Sequence, residues 1–477
     1  MKQLVLVQLN DLHGYLEAHP EWFLLAQGLT YRRTGGLARI KTIVERLREE
    51  HGSILFTDNG DTFHGTKAVV ESKGMILPHI LNRMGLSAMT GHWDFAYGPE
   101  VLQELVAELN YPFLAANVYS QETGSLVFPP YHLIEVAGVR VGLIGLASNI
   151  VDKTMPPEFS RGIRFTDGLT ELPPLITQLR DQERVEVVVL LSHLGLPQDL
   201  ELAQRISGID VCLSGHTHNR LERPIRVGKT TIIQSGCHGS FLGMLRIGVS
   251  NGSTEVLEHK LLTVNESLLE DPGIKQLVNQ ALEPFREDLR QEIGATSVDL
   301  NRATMLESSA DNLLLQSILV ATNAQVAFAN GWRYGAPIPS GPITVEAISN
   351  LAPMDPEISL VELSGAELWD MLEENLERTF SREPFGQMGG YVKRCAGMRT
   401  YIKVENPKGS RVQKIFVGQD ELERAKVYQA AYITSQAVPS KFGSNHRPTG
   451  IRLMQAVVDR LRQGRVSELP SDSFVEI

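Results

Sequence analysis

Two histidines one residue apart, His216 and His218, close an apolar run in the stretch Leu213-Ser214-Gly215-His216-Thr217-His218-Asn219. Residues two apart on an extended segment point to the same side, so both imidazoles can face one site. Similar polar clusters follow other apolar runs: Asp11-Leu12-His13, Gly60-Asp61, Gly91-His92 and Ser192-His193. Carboxylates mixed with imidazoles suit borderline first-row cations (Mn, Fe, Co or Zn) better than Mg or Ca, which favour all-oxygen shells. Two such ions about 3.5–4 Å apart need a bridging anion, and Asp61 is the candidate. Two carboxylates and a bridging hydroxide leave two divalent ions short of neutrality by roughly one unit, so an anion such as phosphate would be drawn in. Turn and cap chemistry accounts for any one of these clusters alone. It does not account for all of them at successive strand ends.

The elements that must carry these residues are legible as alternating strands and helices. Apolar runs predict strands at 4–9, 53–57, 113–116, 139–146, 185–191 and 230–234. Amphipathic patterns predict helices at 37–50 and 75–84, and residues 15–34 read as irregular. Each cluster lies just after a strand, so a layered α/β domain would gather them on one rim. That domain is expected over 1–262. A polar, helix-forming connector follows over 263–300, and a second α/β domain over 301–477. The second domain opens with a helix near Asp311–Ala321, a strand at Gln325–Ala329 and the turn Asn330-Gly331-Trp332-Arg333-Tyr334-Gly335.

A chain of 477 residues is too long for one hydrophobic core, in keeping with two domains. Its net charge of −11 and isoelectric point near 5.7 argue against a binder of nucleic-acid polymers, which needs a basic face. Three scattered cysteines suggest no disulfide framework. The opening apolar run is too short for a signal peptide, and no run of about 18 apolar residues suggests a membrane span. The expectation is a cytoplasmic protein acting on a small molecule, with no membrane partner. Its oligomeric state is open.

The order Asp-x-His, Gly-Asp, Gly-His, Ser-His, Gly-His-x-His resembles the calcineurin-like metallophosphoesterases. Asn10-Asp11-Leu12-His13-Gly14, Gly35-Gly36-Leu37-Ala38-Arg39 and Gly60-Asp61-Thr62-Phe63 resemble the 5'-nucleotidase branch. So do Asn330-Gly331-Trp332-Arg333, Leu363-Ser364-Gly365-Ala366-Glu367-Leu368, Phe385-Gly386-Gln387 and Cys395-Ala396-Gly397-Met398-Arg399-Thr400-Tyr401. The resemblance implies a four-layer αββα sandwich followed by a smaller α/β substrate-binding domain. It implies that Asp11, His13, Asp61 and His218 hold one ion and that Asp61, His92, His193 and His216 hold the other. The implied reaction is removal of phosphate from nucleotides or related small phosphoesters by in-line attack of a metal-bound hydroxide. From the second domain, Arg333 and Arg399 would grip the anionic or ribose part of the substrate, and Phe385 would offer a face for a base.

One motif departs from that pattern. The family's Gly-Asn-His-Glu-Phe-Asp is Gly91-His92-Trp93-Asp94-Phe95-Ala96 here. His92 can still bind metal, but both halves of the family's catalytic His-Asp pair are replaced, by Trp93 and Ala96. General-acid help is worth about 10²–10⁴ in rate, and a ribose alkoxide needs it more than a thiolate does. Asp94, His64 and His238 are the replacement acids within the chain. The Gly-His-Trp-acid form also resembles the thiosulfohydrolase branch, so hydrolysis at a sulfur centre is a second expectation. A metal-bound binding protein without turnover is a third.

Overall fold

The structure is a computed structural model describing residues 1–250 and 252–477. The chain forms two compact units, one built from Met1–His19 with Arg32–Pro284, the other from Pro20–Tyr31 with Phe285–Ile477.

The first unit is a sandwich of two sheets. One has the strand order 253–263, 241–250, 2–9, 55–58, 88–89; the other has 225–227, 230–233, 211–214, 187–192, 139–146, 131–136. Their inner faces share one core, in which Leu4, Leu6 and Leu55 pack with Leu143, Val189, Leu191, Val211 and Leu213. Burial on this scale is the main stabilising term, about 25 cal/mol per Å² of apolar surface. Most parallel neighbours are joined by crossovers that include a helix; 211–214 and 230–233 are joined instead through the strand 225–227. The helix Leu37–His51 buries Leu37, Ile40, Ile43, Val44 and Leu47, a stripe of helical period.

Register is what makes the site. Leu9 pairs with Asp58, Asp58 with Met89, and Ser192 with Ser214, all in parallel ladders. The carboxyl ends of these strands are therefore flush, and the loops after them leave from one rim.

Two stretches differ from the sequence expectation. Residues 15–34, read as irregular, contain a hairpin of His19–Leu25 and Gly28–Thr34. Its apolar residues are largely half-exposed or, like Leu24, exposed, so no clean inward-facing alternation marks it. Tyr31 accepts a hydrogen bond from Asn301 Nδ2 (2.9 Å) within the second unit. Residues 113–116 make only an isolated bridge, Phe113 to Met89. The N–H groups of Leu114, Ala115 and Ala116 go to Met89, Pro129 and Gly145, three separate segments rather than one partner strand. The connector is partly helical: Pro272–Leu282 is a helix with Asp271 as its N-cap, and Glu292–Thr296 is already a strand.

In the second unit a five-stranded sheet has the order 394–396, 326–329, 427–432, 357–364, 444–452. Both its faces are buried. Along 326–329, Val326 and Phe328 enter one core while Ala327 and Ala329 enter the other, the period-two alternation of a strand. The first core is covered by helix Gly365–Phe380, the second by helices Ser309–Thr322 and Leu453–Arg462. Ser364 and Glu367 close a reciprocal capping box at the start of the first of these helices. Inside this unit Asp311 is fully buried and bridges two buried arginines, accepting from Arg302 Nε and Arg394 Nε at 2.9 Å each. Arg302 Nη1 then donates to Tyr334 O (2.7 Å), tethering the turn that carries Arg333. Among the described residues no helix is long and apolar enough to cross a membrane.

Candidate metal centre

The two ligand sets converge. Atoms of Asp11, His13, Asp61 and His218 lie within 4.8 Å of one another, and so do those of Asp61, His92, His193 and His216. Asp61 belongs to both groups. Its Oδ2 lies 3.4 Å from His13 Nε2 and 3.2 Å from His193 Nε2, while its Oδ1 lies 3.4 Å from His92 Nδ1. His218 Nε2 stands 3.2 Å from Asp11 Oδ1. All these side chains are buried or nearly so.

The loops reach this arrangement through unusual backbone. Asp11, His13, Asp61, His216 and His218 all have left-handed φ, between 48° and 72°, a region that non-glycine residues enter at a cost. Close packing adds glycine requirements. A Cβ on Gly60 would sit 2.5 Å from Thr90 O, and one on Gly65 would sit 2.5 Å from His13 O. Hydrogen bonds tie the loops together: Asp11 N–H to Gly60 O, His13 N–H to Asp61 O, and His216 N–H to the Asp11 carboxylate.

His193 tests whether cations fit. Its Nδ1 lies 2.6 Å from Asn59 O, and a carbonyl can only accept, so Nδ1 carries the proton. In the neutral ring Nε2 is then a lone pair able to meet a cation. It makes no hydrogen bond, although carboxylate oxygens of Asp61 and Asp11 lie 3.2 and 3.6 Å away. His92 Nδ1 is buried in the same condition. Lone pairs facing carboxylates need a positive charge between them, and the donor set suits borderline divalent ions. Burial works against a charged His193, yet Asp61 and Asp11 outweigh it and lift the ring to about 10. Burial would likewise raise Asp61, but His193, His92 and His13 hold it well below the usual carboxylate range. The two carboxylates favour positive charge at this point of the pocket.

The remaining site residues fall in different places. Asp94 accepts backbone N–H bonds from Asp61, Thr62, Phe63 and His92, at 2.9 to 3.0 Å. Its contacts make it the anchor of the Asp61 loop, and burial raises its carboxyl above the usual range. His64 is fully buried and stacks on Trp93, ring centroids 4.6 Å apart; burial lowers it to about 3. His238 meets the first ligand set edge-on, 5.9 Å from the His13 ring and 6.0 Å from that of His218. In the second unit, Arg333 donates to Gly390 O (3.0 Å) with its guanidinium 5.4 Å from the Tyr391 ring. Phe385 lies in a short 3-10 turn, Pro384–Gly386, and is partly exposed. Arg399 is on a separate four-stranded sheet and pairs with Asp472 at the surface, a contact that engages its charge and gives no support to a ligand role.

Sequence reasoning passed over the residues that hold the ligands. Asn59 orients His193 and donates to Leu213 O, and Asn10 Nδ2 donates to Asp11 Oδ2 and Gly236 O at 2.7 Å each. The signal was their place directly beside ligand positions in Asn10-Asp11 and Asn59-Gly60-Asp61.

Residues 4–220 match the calcineurin-like phosphoesterase family and residues 288–436 the 5'-nucleotidase C-terminal domain. The chain is 26% identical over 457 residues to the 5'-nucleotidase of Bos taurus, covering 87% of this chain and 78% of the relative. Among solved structures it resembles the Thermus thermophilus sulfate thiohydrolase SoxB, at 26% identity and TM-score 0.92, covering 99% of this chain and 96% of that one. It also resembles a 5'-nucleotidase precursor from Thermus thermophilus, at 25% identity and TM-score 0.87, covering 100% and 99%.

Proposed function

Because the chain joins a calcineurin-like phosphoesterase domain to a 5'-nucleotidase C-terminal domain, we propose that it hydrolyses nucleotides or related small phosphoesters with two divalent ions. The observation that carries this is Asp61, shared by two complete four-residue ligand sets. Asp11, His13, Asp61 and His218 would hold one ion; Asp61, His92, His193 and His216 the other. Such ions, when bound, supply Lewis acidity and make water a nucleophile at neutral pH.

The chain's own residues do the rest. Asn59 holds the His193 tautomer, the Trp93 N–H fixes Asp61, and Asp94 gathers the Asp61 loop. Five imidazoles and two carboxylates leave two divalent ions with a net positive field, which draws a phosphoryl group. Arg333 and Phe385 are the proposed substrate residues, and manganese, iron, cobalt or zinc the proposed ions. Of the replacement acids, His238 is the one whose position beside His13 and His218 supports proton delivery. Cys212, Cys237 and Cys395 are all buried and form no disulfide among the described residues, which supports a reducing, cytoplasmic setting.

A second reading is favoured by a specific observation. Trp93 and Ala96 replace the pair that assists a poor leaving group, and the thiohydrolase likeness spans the whole chain. Hydrolysis at a sulfur centre needs that help less. The deciding experiment is a panel of nucleotides, aryl phosphates and thiol-leaving substrates with Mn²⁺ added, alongside elemental analysis. Turnover of phosphoesters that vanishes in Asp61→Asn supports the first reading. Turnover confined to sulfur substrates supports the second, and no turnover of either sinks both.

A further inference from the structure

Beneath the ligand loops of the first unit lies a buried polar chain that binds no metal itself. Asp199, fully buried in the first turn of helix Leu196–Arg205, accepts a hydrogen bond from Ser192 Oγ at 2.5 Å. The Ser192 carbonyl accepts from Gly215 N–H at 2.9 Å, which ties the same strand end to the loop that carries His216. Ser192 and Ser214 are register partners and the last residues of adjacent parallel strands. The first is followed at once by His193; the second stands two residues before His216. The Ser192 hydroxyl also accepts from Leu194 N–H (3.2 Å), so it grips the chain on both sides of His193. On the far side of Ser214, Gln234 Nε2 donates to Ser214 Oγ (2.8 Å) and to Gly215 O (2.7 Å).

Burying a carboxylate whose side-chain partner is one hydroxyl is expensive, and stability alone would favour an apolar or neutral residue here. The position of the bridge supplies the reason. The ends of these two paired strands, of which Asp199 holds one, deliver ligands to one set, Asp61, His92, His193 and His216. The other set takes only His218 from these two loops.

We propose that Asp199 is a positioning residue for one metal of the pair: by holding Ser192, whose carbonyl in turn holds Gly215, it sets the spacing of His193 and His216. The inference rests on the dinuclear reading above. Outer partners of metal ligands typically govern affinity by about 10–100-fold.

The test is Co²⁺ titration of the metal-free full-length chain, followed by visible absorption and by elemental analysis after desalting. Wild-type protein should take two equivalents; if it takes none, the dinuclear reading itself falls. Asp199→Ala should keep one equivalent at wild-type affinity and bind the other about 10–100-fold more weakly. Asp199→Asn, whose carbonyl oxygen still accepts from Ser192, should restore the second equivalent to near the wild-type value. Ser192→Ala, which removes the bridge from its other end, should repeat the Asp199→Ala result and decides the matter if that variant does not fold. Two equivalents of unchanged affinity in Asp199→Ala and Ser192→Ala, or equal weakening of both equivalents, would overturn the proposal.

Discussion

The backbone N–H of Trp93 donates to Asp61 Oδ1 across 2.6 Å. The residue standing where the family resemblance implies a histidine therefore serves the shared carboxylate through its main chain. What it no longer offers is a proton.

Restoring the lost pair should restore that function. The double variant Trp93→His with Ala96→Asp is expected to raise turnover of nucleoside monophosphates by about 10²–10⁴ while changing aryl phosphate turnover much less. The ratio of the two rates measures it. An unchanged ratio would show that leaving-group protonation does not limit this enzyme.

Arg333 lies in a turn held by Arg302 and Gly390, remote in sequence from every candidate metal ligand. Arg333→Ala is expected to raise KM by about tenfold or more, the loss of one charge-assisted contact, with metal content at wild-type level. Metal loss in proportion to the KM change would make the residue structural.

Asp311 neutralises part of a buried pair of arginines. Asp311→Ala leaves both uncompensated and should cost about 3–5 kcal/mol, since breaking a buried ionic group strands a charge. Urea unfolding of the full chain reports this as a lowered midpoint. A loss under about 1 kcal/mol would mean that water or rearranged carbonyls take over the guanidinium groups.

Lys393 is buried, its ammonium held by the carbonyls of Gln436 and Ala437, and burial lowers it to about 7. An unfolded lysine titrates near 10.4. Between those values the unfolded chain binds a proton that the folded chain lacks, so this group's contribution to stability rises with pH. The limit is about 1.4 kcal/mol per pH unit. Comparing denaturant midpoints of wild type and Lys393→Met between pH 7 and 9 isolates that slope. Parallel pH curves would show the ammonium charged throughout.

Much of the centre was legible because its chemistry is local. Each candidate ligand follows an apolar strand, and Gly60 marks a turn where no side chain fits. The helix Leu37–His51 and the strand Val139–Leu146 were readable for the same reason, a regular period over enough residues. What escaped was non-local. Asp94 looks like a spare acid in sequence; only the fold brings four N–H groups from two loops to it. Arg399 sits in a family motif, and its pairing with Asp472, far along the chain, has no sequence signature. The hairpin near Trp22 lacked the one-sided burial that betrays a strand, and its grouping with residues after Phe285 depends on contacts no local pattern encodes.

The five left-handed ligand residues are cocked springs. Each of them sits about 1–3 kcal/mol above a relaxed backbone; hydrogen bonds from Asp11, His13 and His216 supply part of the restraint, and bound cations would complete it. Withdrawing them should let the rim uncoil from the turns at 11–13, 61 and 216–218 outward while the sheets beneath stay intact. Loading would then be as much a tightening of the chain as an occupation of it.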